Sequence, residues 1–126
     1  MATACKATFT MTHFGIICPA TTGHLNPMTS LGSELQRRGH RVTLVGIRDA
    51  QPNTLAAGLE FRAIGESDFP KGAMRQIFVQ QGNLSGLAAV RYTLTWVKNI
   101  TATLIGEAPE VLKEAGVDSQ SCIFPV

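Results

Sequence analysis

Between Thr12 and Ile47 the chain changes its hydrophobic period twice, and that change limits the folds open to it more than any other feature. Thr12 to Cys18 is apolar and β-branched and stops at Pro19, as a strand buried on both faces does. Ala20-Thr21-Thr22-Gly23 breaks the run. Asn26 followed by Pro27 is a helix-start signal, because Asn can cap free N–H groups and proline fits the first helical position, where no donor is needed. Met28, Leu31 and Leu35 then recur at helical spacing, Arg37 and Arg38 fall in a last turn where the helix dipole favours cations, and Gly39 suits the C′ position. Arg41 to Ile47 reads as a second buried strand. Strand, helix and strand make one βαβ unit with a right-handed crossover, so the expected class is α/β, a Rossmann-like parallel sheet with flanking helices.

The same alternation continues more faintly. Ala50 to Ala57 reads as a short helix stopped by Gly58, and Leu59 to Ile64 as a third strand. Gly65 to Lys71 reads as a loop at the carboxyl edge of the sheet, able to form a pocket wall, and Ala73 to Gln81 as a helix. From Gly86 to Ile105, Leu87, Val90, Leu94, Val97, Thr101 and Leu104 or Ile105 form one stripe, which predicts a packed helix. Tyr92 and Trp96 on that helix can either line an apolar site or fill core. Pro109 is expected to open a short helix that Gly116 closes, and Ser121 to Val126 is a poor strand candidate interrupted by proline.

This arrangement puts Gly23-His24-Leu25-Asn26-Pro27 on the first strand-to-helix loop, with His24 just before the helix. Ligands of open α/β sheets collect outside the carboxyl ends of the strands, so a titratable side chain there is a functional candidate. The positive helix end and partial burial would both disfavour an imidazolium, leaving a ring able to accept a hydroxyl proton. His24 could equally do no more than cap or pack the turn.

Composition narrows the choice. The 126 residues suit one domain. The formal charge of +2 is small and spread along the chain, which argues against a nucleic-acid partner. Cys5, Cys18 and Cys122 are odd in number and lack metal-ligand spacing, which fits a reduced cytoplasmic setting without a zinc site. Residues 1–11 read as a flexible tail without a secretory h-region, and no stretch reaches the roughly 18 apolar residues of a membrane span.

The segment from Thr12 to Leu44 resembles the opening of GT-B fold glycosyltransferases that use UDP-sugars. A strand, a G-H-x-N-P turn, an amphipathic helix ending R-R-G-H and a strand reading V-T-L recur together there, and Gly116-Val117-Asp118 after Lys-Glu-Ala fits as well. The wording is most similar to the bacterial carotenoid-glucosyltransferase branch of that family. The resemblance implies that residues 12–126 form part of an N-terminal, acceptor-side domain. It makes His24 the general base of an inverting transfer, with Thr22, Gly23 and Asn26 completing the acceptor-side turn. It implies a lipophilic hydroxyl acceptor, no metal, no bound cofactor, and a UDP-sugar as co-substrate.

Two departures from the family pattern carry expectations of their own. The aspartate that orients the histidine in that family is not recognisable after Asp118, and the C-terminal domain that holds most of the nucleotide sugar is expected to be absent from this chain, which alone would then be inactive. A nucleotide-binding module fits less well, because the turn has only Gly23 and lacks G-x-G-x-x-G. A non-catalytic binding or partner module with an open strand edge is the other alternative.

Overall fold

The structure, a computed structural model, describes residues 11–117 and 122–123. The tail expected over residues 1–11 lies outside them except for Met11, as do Asp118 and most of the strand expected at Ser121 to Val126. The chain runs β1 (His13–Ile17), α1 (Thr22–Arg37), β2 (Arg41–Gly46), a 3₁₀ turn (Arg48–Ala50), α2 (Gln51–Ala56), β3 (Glu60–Ala63), α3 (Ala73–Gly82), α4 (Gly86–Glu114) and β4 (Cys122–Ile123). The strands form one parallel sheet in the order β3-β2-β1-β4. The α/β class and the sheet with helices on both sides are as the sequence predicts.

Helices cover both faces of the sheet, which is why β2 is apolar almost throughout: Val42 to Gly46 are all buried. Ile16, Val42 and Leu44 pack with Leu25 of α1 and with Ala50 and Leu59. Val45 and Ile47 pack with Ile64, Phe69, Met74 and the row Ile100, Leu104, Ala108 and Leu112 of α4. Gly15 permits this second layer, since a Cβ there would sit 2.6 Å from Leu112 Cδ2. At the amino edge, His13 is buried with Nε2 2.7 Å from Thr43 Oγ1, and Arg41 holds Glu60 through two bonds of 2.6 and 2.8 Å.

The helix ends follow the sequence closely. Gly39 has φ +92°, its N–H donates to Gln36 O at 2.9 Å, and the His40 N–H donates to Leu35 O at 3.1 Å, a Schellman closure. The helices closed by Gly58 and Gly116 end with the same pair of bonds.

Four expectations are overturned. α1 starts at Thr22 rather than at Asn26, with Thr21 as N-cap and Pro27 inside the helix. Proline there removes only the bond to the Gly23 carbonyl, and Gly23 is exposed, so water can serve that carbonyl instead. The helix also turns a different face inward: Leu25, Thr29 and Gly32 are buried, Met28 and Leu35 are half-buried, and Leu31 is exposed. α4 does not end at Ile105 but passes through Pro109 to Glu114 as one helix of 29 residues.

The stripe expected to pack in α4 is the fourth case. Leu87, Val90, Leu94, Val97 and Ile105 are 72, 53, 64, 41 and 62% exposed, while the row Ile100, Leu104, Ala108 and Leu112 is buried. Both rows have helical spacing, and the sheet selects the one that meets Gly15 and Val45. Urea unfolding checks this assignment. Leu104→Ala should cost about 2–5 kcal/mol, whereas Leu94→Ser should stay within about 0.5 kcal/mol of the parent.

Candidate functional site at the carboxyl edge of the sheet

Parallel strands deliver their following loops to one edge. Because β2 and β3 lie on one side of β1 and β4 on the other, chain direction across the sheet reverses at β1. That reversal point is where open α/β sheets bind ligands, and the segment after β1 is Cys18 to Thr21 followed by the first turn of α1.

A cleft of ≈ 600 Å³ opens over this edge. Ala20, Thr22 and Leu25 form one side, Asp49 and Asn53 the next, and Gly72, Met74, Arg75, Phe78 and Val79 the far wall. Thr22 thus lines it, as does Gly72 just beyond the loop in which the sequence places a pocket wall. Gly23, His24 and Asn26 are exposed on the same two turns of α1 but do not line the cleft. His24 is the third residue of α1, not the residue before it, and the partial burial expected for it is not found.

The turn holds His24 by two groups of one residue. The Thr21 carbonyl accepts the His24 N–H at 3.0 Å and the Leu25 N–H at 2.8 Å, and Thr21 Oγ1 lies 2.7 Å from His24 Nδ1. Asn26, expected to cap the helix, instead has its own carbonyl accepting the Thr29 hydroxyl at 3.2 Å. The cap passes to Thr21 because Thr21 is the last extended residue, with φ −95° and ψ 141°.

Asp49 is the residue that sequence reasoning missed. Its Oδ1 accepts the Gly72 N–H at 2.6 Å and its Oδ2 the Met74 N–H at 2.7 Å, so a carboxylate from the loop after β2 caps α3. Gly72, the local N-cap, has φ +92° and no side chain to offer. The usable signal was a helix start at Ala73 without Ser, Thr, Asp or Asn in the cap position. Arg48 donates to Glu66 Oε1 at 2.7 Å and ties the same two loops together near the cleft.

Two other candidates resolve into structure. Tyr92 and Trp96 are half-buried, Trp96 donates Nε1–H to Gln81 Oε1 at 3.0 Å and meets Phe78 edge-on, and both line a ≈ 340 Å³ groove with Phe69 and Ile77. Trp96 packs against the core, the filling role among the two open to it. Cys18, just after β1, is fully buried, and burial pushes its thiol up to about 12. Among the described residues no cluster of three or more His, Cys, Asp or Glu could hold a metal ion, and no helix is long and apolar enough to cross a membrane.

Comparison with known proteins agrees with this architecture. The chain belongs to the glycosyltransferase family 28 N-terminal domain family, whose model matches residues 16–126. It is 26% identical over 108 residues to the zeaxanthin glucosyltransferase of Pantoea ananas, a match covering 86% of this chain and 25% of that protein. It is also similar to the crystal structure of CalG4, the calicheamicin glycosyltransferase, with a TM-score of 0.54 and 25% identity over 82% of this chain and 22% of that one. The sequence resemblance to the N-terminal part of GT-B glycosyltransferases is therefore established. The chain spans about a quarter of the length of the curated relative it matches.

Two measurements probe the site's framework. Asp49→Ala should destabilise the protein by about 1–3 kcal/mol and speed amide exchange at Gly72 and Met74, read by native-state hydrogen exchange. The raised Cys18 thiol makes stability fall as pH rises from the ordinary cysteine value of 9.0 toward about 12, because only the unfolded chain ionises in that window. Chemical melts across that range should show a steeper decline in the parent than in Cys18→Ala.

Proposed function

We propose that this chain is the acceptor side of an inverting glycosyltransferase, with His24 as general base. The observation that carries the reading is the placement of an exposed histidine on the first turn of α1. It adjoins an apolar-walled cleft at the carboxyl edge, in a chain of this family. In this account His24 takes the proton of an acceptor hydroxyl. The oxygen bonds to the anomeric carbon of a UDP-sugar as the bond from that carbon to the diphosphate breaks, and UDP leaves with the electron pair. Proton abstraction by a positioned group typically supplies about 10²- to 10⁴-fold, and alignment of the two substrates much of the rest.

In this reading the donor would be held chiefly by a C-terminal domain. A lipophilic hydroxyl acceptor is supported by Leu25, Met74, Phe78 and Val79 in the cleft wall and by the relative named for zeaxanthin. Thr22, Asp49, Asn53 and Arg75 are the polar side chains lining the same cleft. Cytoplasmic location and independence of metal and cofactor belong to the same reading.

The second reading, a non-catalytic binding or partner module, draws on the exposed row Leu87, Val90, Leu94 and Val97 of α4. Titration of the 126-residue chain, followed by amide chemical shifts, separates the two. A lipophilic alcohol should perturb Thr22, Leu25, Gly72 and Val79, while UDP-glucose should leave the whole spectrum unmoved. Perturbation of α1 by UDP-glucose alone would favour a nucleotide site. Silence toward both would favour the partner module.

A further inference from the structure

Thr21 spends its side chain unusually for a helix N-cap. Threonine in that position ordinarily accepts a backbone N–H from the first turn. Here the residue has the extended backbone of a cap, but its side chain makes no capping bond to the helix backbone. Its hydroxyl oxygen lies instead 2.7 Å from Nδ1 of His24, three residues on. The same residue accepts the His24 N–H through its carbonyl at 3.0 Å, so the backbone and the ring of one histidine are both tied to one threonine.

A neutral imidazole carries one proton, and the bond made by one nitrogen decides which nitrogen is bare. We propose that Thr21 is a positioning residue for His24: its oxygen accepts the Nδ1–H proton and so fixes the tautomer that leaves the Nε2 lone pair free. The direction of that proton rests on the base role proposed above, because a ring protonated at Nε2 could not take a hydroxyl proton there. The geometry itself does not depend on it. Thr21 in this way does what an orienting carboxylate does in triad sites, without bringing a second charge to the turn. A hydroxyl suits the place because the first turn of a helix presents N–H groups, and an oxygen with two lone pairs sits there at no electrostatic cost.

The test is made on the 126-residue chain by ¹⁵N long-range spectra of its histidine rings, at a pH where the rings are neutral. His24 should show a protonated Nδ1 and a bare Nε2. Thr21→Val keeps the β-branched, extended cap and removes no helix-capping bond, so the fold should survive it. It should shift the tautomer ratio toward the Nε2–H form on the order of five-fold, and Thr21→Ser should restore the parent spectrum. An Nε2–H ring in the parent, or an unchanged ratio in Thr21→Val, overturns the proposal. Failure of the base role is read separately, as retained sugar transfer by a His24→Ala enzyme. Loss of transfer in His24→Ala with no tautomer change in Thr21→Val would leave the base role standing and remove Thr21 from it.

Discussion

The pairing of β1 with β2, buried on both faces, is the constraint on which the rest of the structure depends. Register from His13 opposite Arg41 to Ile17 opposite Val45 makes the pair parallel, and a parallel pair needs a crossover helix and cover on both sides. α1 and α2 supply one layer and α3 and α4 the other. Once that is fixed, the segments after β1, β2 and β3 must open at one edge. The cleft and His24 are there because of the sheet's direction, before any chemistry is considered.

The edge is assembled from parts far apart in the chain. Asp49 after β2 caps α3, Arg48 reaches Glu66 after β3, and Thr21 after β1 holds His24. Each bond joins a loop to a helix start or to another loop, so the edge is tied together by polar side chains, charge-assisted at Asp49 and Arg48. Cys18 and Val45, on β1's following segment and on β2, are fully buried in the core. A rigid floor under polar loops is the division of labour that binding sites on α/β sheets share.

What the sequence made legible was whatever is decided locally. Gly39, Gly58 and Gly116 end their helices because a left-handed residue is needed there and glycine supplies it. The first strand, turn and second strand were readable for the same reason. Helix starts were not: Pro27 normally marks a first turn, yet here it sits inside α1, where an exposed Gly23 carbonyl tolerates its missing donor. The packed face of α4 was ambiguous because two rows of that helix are apolar, and the sheet residues that one row meets, Gly15 and Val45, decide between them. Asp49 was invisible because its partners lie 23 and 25 residues away. Of the candidate site, Thr22, Gly23 and His24 lie in the first turn of α1 rather than in the loop before it, and the cap assigned to Asn26 belongs to Thr21.

His24 as the proton acceptor is the central claim, and a chimera tests it most directly. Residues 12–117 would replace the corresponding segment of the Pantoea zeaxanthin glucosyltransferase, and transfer from UDP-glucose to a lipophilic alcohol would be compared with and without His24→Ala. The account predicts a fall in kcat of about 10²- to 10⁴-fold with the KM for UDP-glucose unchanged. A kcat that survives the substitution within about three-fold would contradict it, since uncatalysed proton loss should not match a positioned base.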